Sequence, residues 1–110
     1  MKRLFFVSLF VLVFGMVHGQ TRSENRWILG TWVGTDNSNN NWEFVLNDNG
    51  TGRRAPRNFS YQIYFSINGN LISMFDQDDL HQSSYTVHRI NDQRIIFISG
   101  SNVIHLTKRN

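Results

Sequence analysis

Between Phe59 and Ile67 every second residue is large and apolar, and this period of two most constrains what the chain can fold into. Phe59, Tyr61, Ile63, Phe65 and Ile67 alternate with Ser60, Gln62, Tyr64 and Ser66. A strand turns the first row to a core and the second to solvent, whereas a helix would scatter both around its circumference. Trp42, Phe44 and Leu46 repeat the pattern, with Glu43 outward. From residue 20 onward no helix-length segment places apolar residues at i, i+3, i+4 and i+7. Short runs of Val, Ile, Phe, Tyr and Trp are instead broken about every 8–12 residues by Asn, Asp, Gly and Ser.

Eight strands are predicted, at 30–35, 42–47, 50–55, 59–67, 70–76, 83–90, 94–99 and 103–109. Asn47-Asp48-Asn49-Gly50, Asn68-Gly69-Asn70, Asn91-Asp92 and Ser99-Gly100-Ser101-Asn102 supply residues that tolerate positive φ and so favour tight antiparallel turns. The expected fold is all-β: an eight-stranded antiparallel up-and-down barrel that removes its exposed edges by closing on itself. Asp36–Asn41, mostly asparagine, reads as a flexible loop at an open end. Ser23 is placed to cap a short helical turn over Glu24–Leu29, with Trp27 and Ile28 pressing on the barrel.

The first 19 residues differ from the rest. Lys2 and Arg3 precede the apolar run Leu4–Val17, which is shorter than the roughly 20 residues a membrane-spanning helix needs, and small Gly19 follows. The layout predicts a signal peptide at 1–19, export to a periplasmic or secreted location, and a single domain over 20–110 with no membrane anchor after cleavage. Without Lys2 and Arg3, nine basic side chains face eight acidic ones, so charge gives no reason to expect a nucleic-acid partner. The densest basic group, Arg53, Arg54 and Arg57 beside Pro56, reads as a solvated turn. No cysteine is present, so neither a disulfide staple nor a lipidated cysteine is expected.

Leu29-Gly30-Thr31-Trp32, at the start of the first strand and after a short helical turn, resembles the G-x-W signature of the lipocalin-like (calycin) barrels. Trp42-Glu43-Phe44 followed by Asn47–Gly52, and the ending Leu106-Thr107-Lys108-Arg109, are similar to small exported lipocalin-like domains, so the resemblance spans about residues 27–109. It implies an interior that holds a small hydrophobic ligand, with Trp42, Phe44, Tyr61, Phe65 and Phe97 as candidate wall residues and the Tyr61 hydroxyl as polar handle. Gly30, Trp32 and Arg109 are the expected barrel closure: the Trp32 ring plugs one end, and of the two cations able to cover it, Arg109 and Lys108, Arg109 is preferred because its planar guanidinium stacks as well as attracts. The alternative is a barrel filled by its own aromatics, among them Phe59, acting as an interaction or inhibitor module on an envelope protein partner.

Catalysis has no visible apparatus. The chain holds no cysteine nucleophile and no G-x-S-x-G elbow, and His81, His88 and His105 are scattered. Asp76, Asp78, Asp79 and His81 form a short acidic loop without the ligand spacing of an EF-hand, so neither a metal nor a cofactor is expected.

Overall fold

The computed structural model describes residues 23–109, and the predicted signal peptide at 1–19 lies outside them. A 3-10 turn at Ser23–Ile28 leads into eight strands: β1 (Gly30–Asp36), β2 (Asn41–Leu46), β3 (Thr51–Pro56), β4 (Tyr61–Asn68), β5 (Leu71–Asp76), β6 (Gln82–Asn91), β7 (Arg94–Ser99) and β8 (Asn102–Lys108). Each strand pairs antiparallel with the next, and β8 returns to β1, so the sheet closes as an up-and-down barrel. The result is compatible with a lipocalin-like fold.

Alternation along the strands sets the interior. Trp32, Phe44, Ile63, Phe65, Ile72, Met74, Phe97 and Ile104 point inward and are almost wholly buried. The one inward apolar expectation that fails outright is Phe59, which lies before β4 and is 61% exposed. Its backbone N–H bonds the Pro56 carbonyl and Arg57 takes a left-handed φ of 56°, so the chain spends Arg57–Ser60 turning and resumes pairing only at Tyr61. The arginine cluster is also not a turn: Arg53 and Arg54 lie within β3, one outward and one inward.

Two glycines let neighbouring strands come closer than any side chain would allow. A Cβ on Gly34 would overlap the His105 carbonyl oxygen, and one on Gly52 the Val45 carbonyl oxygen. Such contacts accommodate the tight bending that a narrow barrel demands.

The two ends differ. At one end the 3-10 turn folds under the barrel, and the Trp32 indole N–H donates to the Ile28 carbonyl at 2.8 Å. The cation over the Trp32 ring is Lys108, its Nζ 5.3 Å from the ring centroid and 3.2 Å from the Trp27 carbonyl oxygen that it also bonds. This corrects the expected Trp32–Arg109 stack. Trp32 pairs with Lys108 across β1 and β8, so the two face inward together, while the next residue, Arg109, faces outward and bonds Glu43 at 3.0 Å. Gly30, at φ 121°, sits against the Lys108 side chain. Arg89 covers the other tryptophan of this end, 4.4 Å from the Trp27 ring centroid. The opposite end carries the β1–β2, β3–β4, β5–β6 and β7–β8 connections.

Candidate functional site

The proposed wall residues do not line an empty chamber together. Phe44 and Phe97 meet at 4.9 Å between ring centroids, Tyr85 lies 5.3 Å from Phe97 and 5.8 Å from Phe44, and Trp42 stacks on Phe44 at 5.4 Å. Phe65 is buried in the same core. Tyr61 stands apart at the rim, 37% exposed, with its ring against Phe59 at 6.5 Å.

Above this aromatic layer, towards the end without the 3-10 turn, the inward row becomes polar. Arg54, opposite Phe44 on β2 and Tyr61 on β4, reaches inside the barrel past β4 to Asp76 on β5, its Nη2 donating to both carboxylate oxygens at 3.1 and 3.4 Å. Its guanidinium carbon lies 4.7 Å from the Tyr61 ring centroid. The Arg54 Nε is buried and has no hydrogen-bond partner among the described residues. Burial pushes the Tyr85 phenol up from its ordinary value, and the nearby Arg54 charge opposes that shift. Asp76 is thus turned inside rather than into the acidic loop, and Asp79 accepts the backbone N–H of His81 at 3.0 Å. Among the described residues no three His, Asp or Glu side chains gather as a metal site.

Asp36 organises the loop that the sequence presents as flexible. Its Oδ1 accepts the backbone N–H groups of Ser38 and Asn40 at 2.8 and 2.9 Å, and its Oδ2 accepts the Trp42 indole N–H at 3.0 Å and the Asn40 side-chain amide at 3.2 Å. The Trp42 hydrogen bond and the Asn40 backbone bond hold its carboxyl well below the ordinary range, lowering the pKa from 3.8 to about 2 despite desolvation. A lowered folded-state pKa means that the ionised carboxylate stabilises the fold above pH ~4, the unfolded value, and that this contribution disappears as pH falls towards 2. The melting-temperature difference between the protein and its Asp36→Asn variant is therefore expected to shrink over that window. A difference that stays constant from pH 6 to 2 would count against this role for Asp36.

A groove of about 440 Å³ opens on the outer wall of β1–β3, away from the interior. Its floor is made of small side chains, Val33, Thr35 and Ala55, with Gly34 between, and its borders carry Asn41, Glu43, Arg57 and Arg109. Glu43 is bonded on both oxygens, by Arg53 at 2.7 Å and by Arg109 at 3.0 Å. Arg57 donates from Nε to the Asn40 side-chain oxygen at 3.0 Å.

No protein-family profile, curated protein or solved structure matches this chain.

Sequence reasoning misses the sites that Arg54, Asp76, Tyr85 and Asp36 occupy, and for the cover of Trp32 it names Lys108 but prefers Arg109. A signal for Arg54 was present: extending the period of two through β3 puts Gly52, Arg54 and Pro56 on the row that faces Leu46, Phe44 and Trp42. The same extension through β5 puts Asp76 on the inward row with Ile72 and Met74, but its partner on β3 is visible only in the folded barrel.

Proposed function

We propose that this chain is an exported lipocalin-like domain of the calycin type whose barrel is filled by its own side chains and which acts as a protein-interaction module. The observation that carries the reading is the mutual packing of the inward aromatics. Phe44 and Phe97 are 0% exposed, and each touches other rings rather than open volume. A carrier keeps a cavity that buries most of its ligand, and these rings occupy the space such a cavity would need. The surface, by contrast, offers aromatic and arginine side chains of the kind that anchor interfaces: Phe59 and Tyr61 stacked at one end, and the arginine-bordered groove on the wall.

A second reading, a small hydrophobic ligand held by Trp42, Phe44, Tyr61, Phe65 and Phe97, is favoured by one observation. The buried Arg54 Nε lacks an acceptor, and a ligand carrying a carbonyl or carboxylate would supply it. Native mass spectrometry of the protein purified from the exported fraction separates the two. The interaction reading expects the bare chain, and no adduct with a fatty acid, a retinoid or haem. A stoichiometric apolar molecule that leaves on denaturation would replace it with the carrier reading.

A further inference from the structure

We propose that the groove on the outer wall of β1–β3 binds an acidic segment of a partner protein, with Arg57 and Arg109 holding its carboxylates. The proposal rests on the interaction reading above and names the chemistry of the partner. Its first support is the charge balance. Among the described residues that line the groove, Arg57 and Arg109 stand with a single carboxylate, Glu43, both of whose oxygens are already bonded, by Arg53 and by Arg109. Among the described residues, no group accepts from the terminal nitrogens of Arg57 or from Nε and Nη1 of Arg109. Guanidinium forks with unused donors pair bidentately with carboxylates, and such charge-assisted bonds are stronger than neutral ones.

The second support is the backbone at Arg57. Its φ of 56° lies in the left-handed region that glycine occupies without steric cost. An arginine held in that conformation bears strain that Gly would relieve, so what the position gains from Arg is its side chain. The bond from its Nε to Asn40 aligns that side chain along the rim.

Placement of the two arginines sets the shape of the occupant. Arg57 follows β3 and its N–H bonds the Asn41 carbonyl, level with Thr35, whereas the Arg109 N–H bonds the Thr31 carbonyl. Thr31 and Thr35 are four residues apart on one strand, so the backbones of the two arginines stand about 13 Å apart at the usual rise. The Arg109 guanidinium leans inward from its end to Glu43, which pairs with Val33. The two side chains thus enter an open trough with a small-residue floor from opposite ends, which suits an extended peptide bearing more than one Asp or Glu. A small molecule would leave much of its surface in water there. A nucleic-acid backbone would run its continuous phosphates past Glu43, which discrete carboxylates avoid. Residues 1–22 contain Lys2, Arg3 and Arg22 and no Asp or Glu, so this part of the chain does not complement the groove.

Fluorescence anisotropy with labelled hexaglutamate, hexalysine and oligothymidylate tests the proposal on the full chain. Hexaglutamate is expected to bind, to weaken with added salt, and to lose about five-fold or more in affinity with Arg57→Gly or Arg109→Ala. Arg57→Gly suits the left-handed backbone, and circular-dichroism melting checks that both variants fold. Glu43→Gln frees Arg53 and Arg109 and is expected to tighten hexaglutamate binding, an effect that a damaged fold would not produce. The proposal is overturned if hexaglutamate does not bind, if oligothymidylate binds as tightly, if the arginine variants bind unchanged, or if sedimentation shows a second copy filling the groove through Asp78 and Asp79. A null result with hexaglutamate on a protein that flies bare in native mass spectrometry removes this groove alone, whereas a co-purifying apolar ligand removes the interaction reading itself.

Discussion

Trp32→Ala is expected to destabilise the domain by about 3–5 kcal/mol, the range for emptying a buried aromatic site in a core that relaxes only partly. The ring is 0% exposed, lies beneath Lys108, and ties β1 to the 3-10 turn through its bond to Ile28. Total stabilities of about 5–15 kcal/mol leave little margin for such a loss in a domain this small. At about 4–8 °C per kcal/mol the melting temperature falls by roughly 15 °C or more, and urea titration at neutral pH gives the free energy directly. Trp32→Phe keeps most of the apolar contact but leaves the Ile28 carbonyl without its donor, so a smaller cost of about 1–3 kcal/mol is expected. Lys108→Met removes both the cation over the ring and its bond to the Trp27 carbonyl, and is expected to cost about 1–2 kcal/mol. An alanine variant that melts within two or three degrees of the parent would show that this end closes without the ring.

Removing only Asp76 is the second change with a large expected effect. Arg54 and Asp76 have side chains 11% and 12% exposed, so Asp76→Ala strands a guanidinium inside the barrel and is expected to cost about 3–5 kcal/mol. Replacing both, as Arg54→Met with Asp76→Leu, removes the desolvated charges together. The double variant is expected to fall within about 1 kcal/mol of the parent, or above it, since a buried ion pair often contributes less than well-packed apolar side chains of similar volume. Urea denaturation of Arg54→Met, Asp76→Leu and the double variant closes a thermodynamic cycle for the pair. A double variant as unstable as Asp76→Ala would mean that the pair, and not the stranded charge, carries the stability. The pair then becomes the part of the barrel most resistant to redesign.

The polar layer and the outer groove bear differently on function. Arg54 already has a carboxylate within the barrel and presents one unpaired Nε, a single N–H donor enclosed by protein. Arg57 and Arg109 stand on the surface with several donors unused among the described residues, where the proposed acidic partner would reach them without displacing the core. A surface pair is screened by salt, so recognition there depends on ionic strength in a way that occupation of the interior would not.

Local pattern was enough to determine the number and order of the strands. Alternation with period two and turn residues that tolerate positive φ act over a few residues, so they are legible without knowing what lies across the barrel. The same alternation placed Phe44, Phe65 and Phe97 inside. It failed for Phe59 because the pattern runs on, in register, through a turn: a period says which side a residue would face in a strand, not where pairing begins. Tyr61 shares the inward row but lies at its end, where the wall stops and the ring reaches water.

Only the tertiary structure decided which residues meet. Arg54 and Asp76 are 22 positions apart and on strands separated by β4, and their meeting depends on the diameter and curvature of the closed sheet. Whether Lys108 or Arg109 covers Trp32 depends on a single step of register between the first and last strands, since neighbouring residues on a strand face opposite sides. That one step sends Lys108 inward to the closed end and Arg109 outward to the groove. The sequence holds both cations side by side, and the closure of β8 onto β1 gives them separate roles.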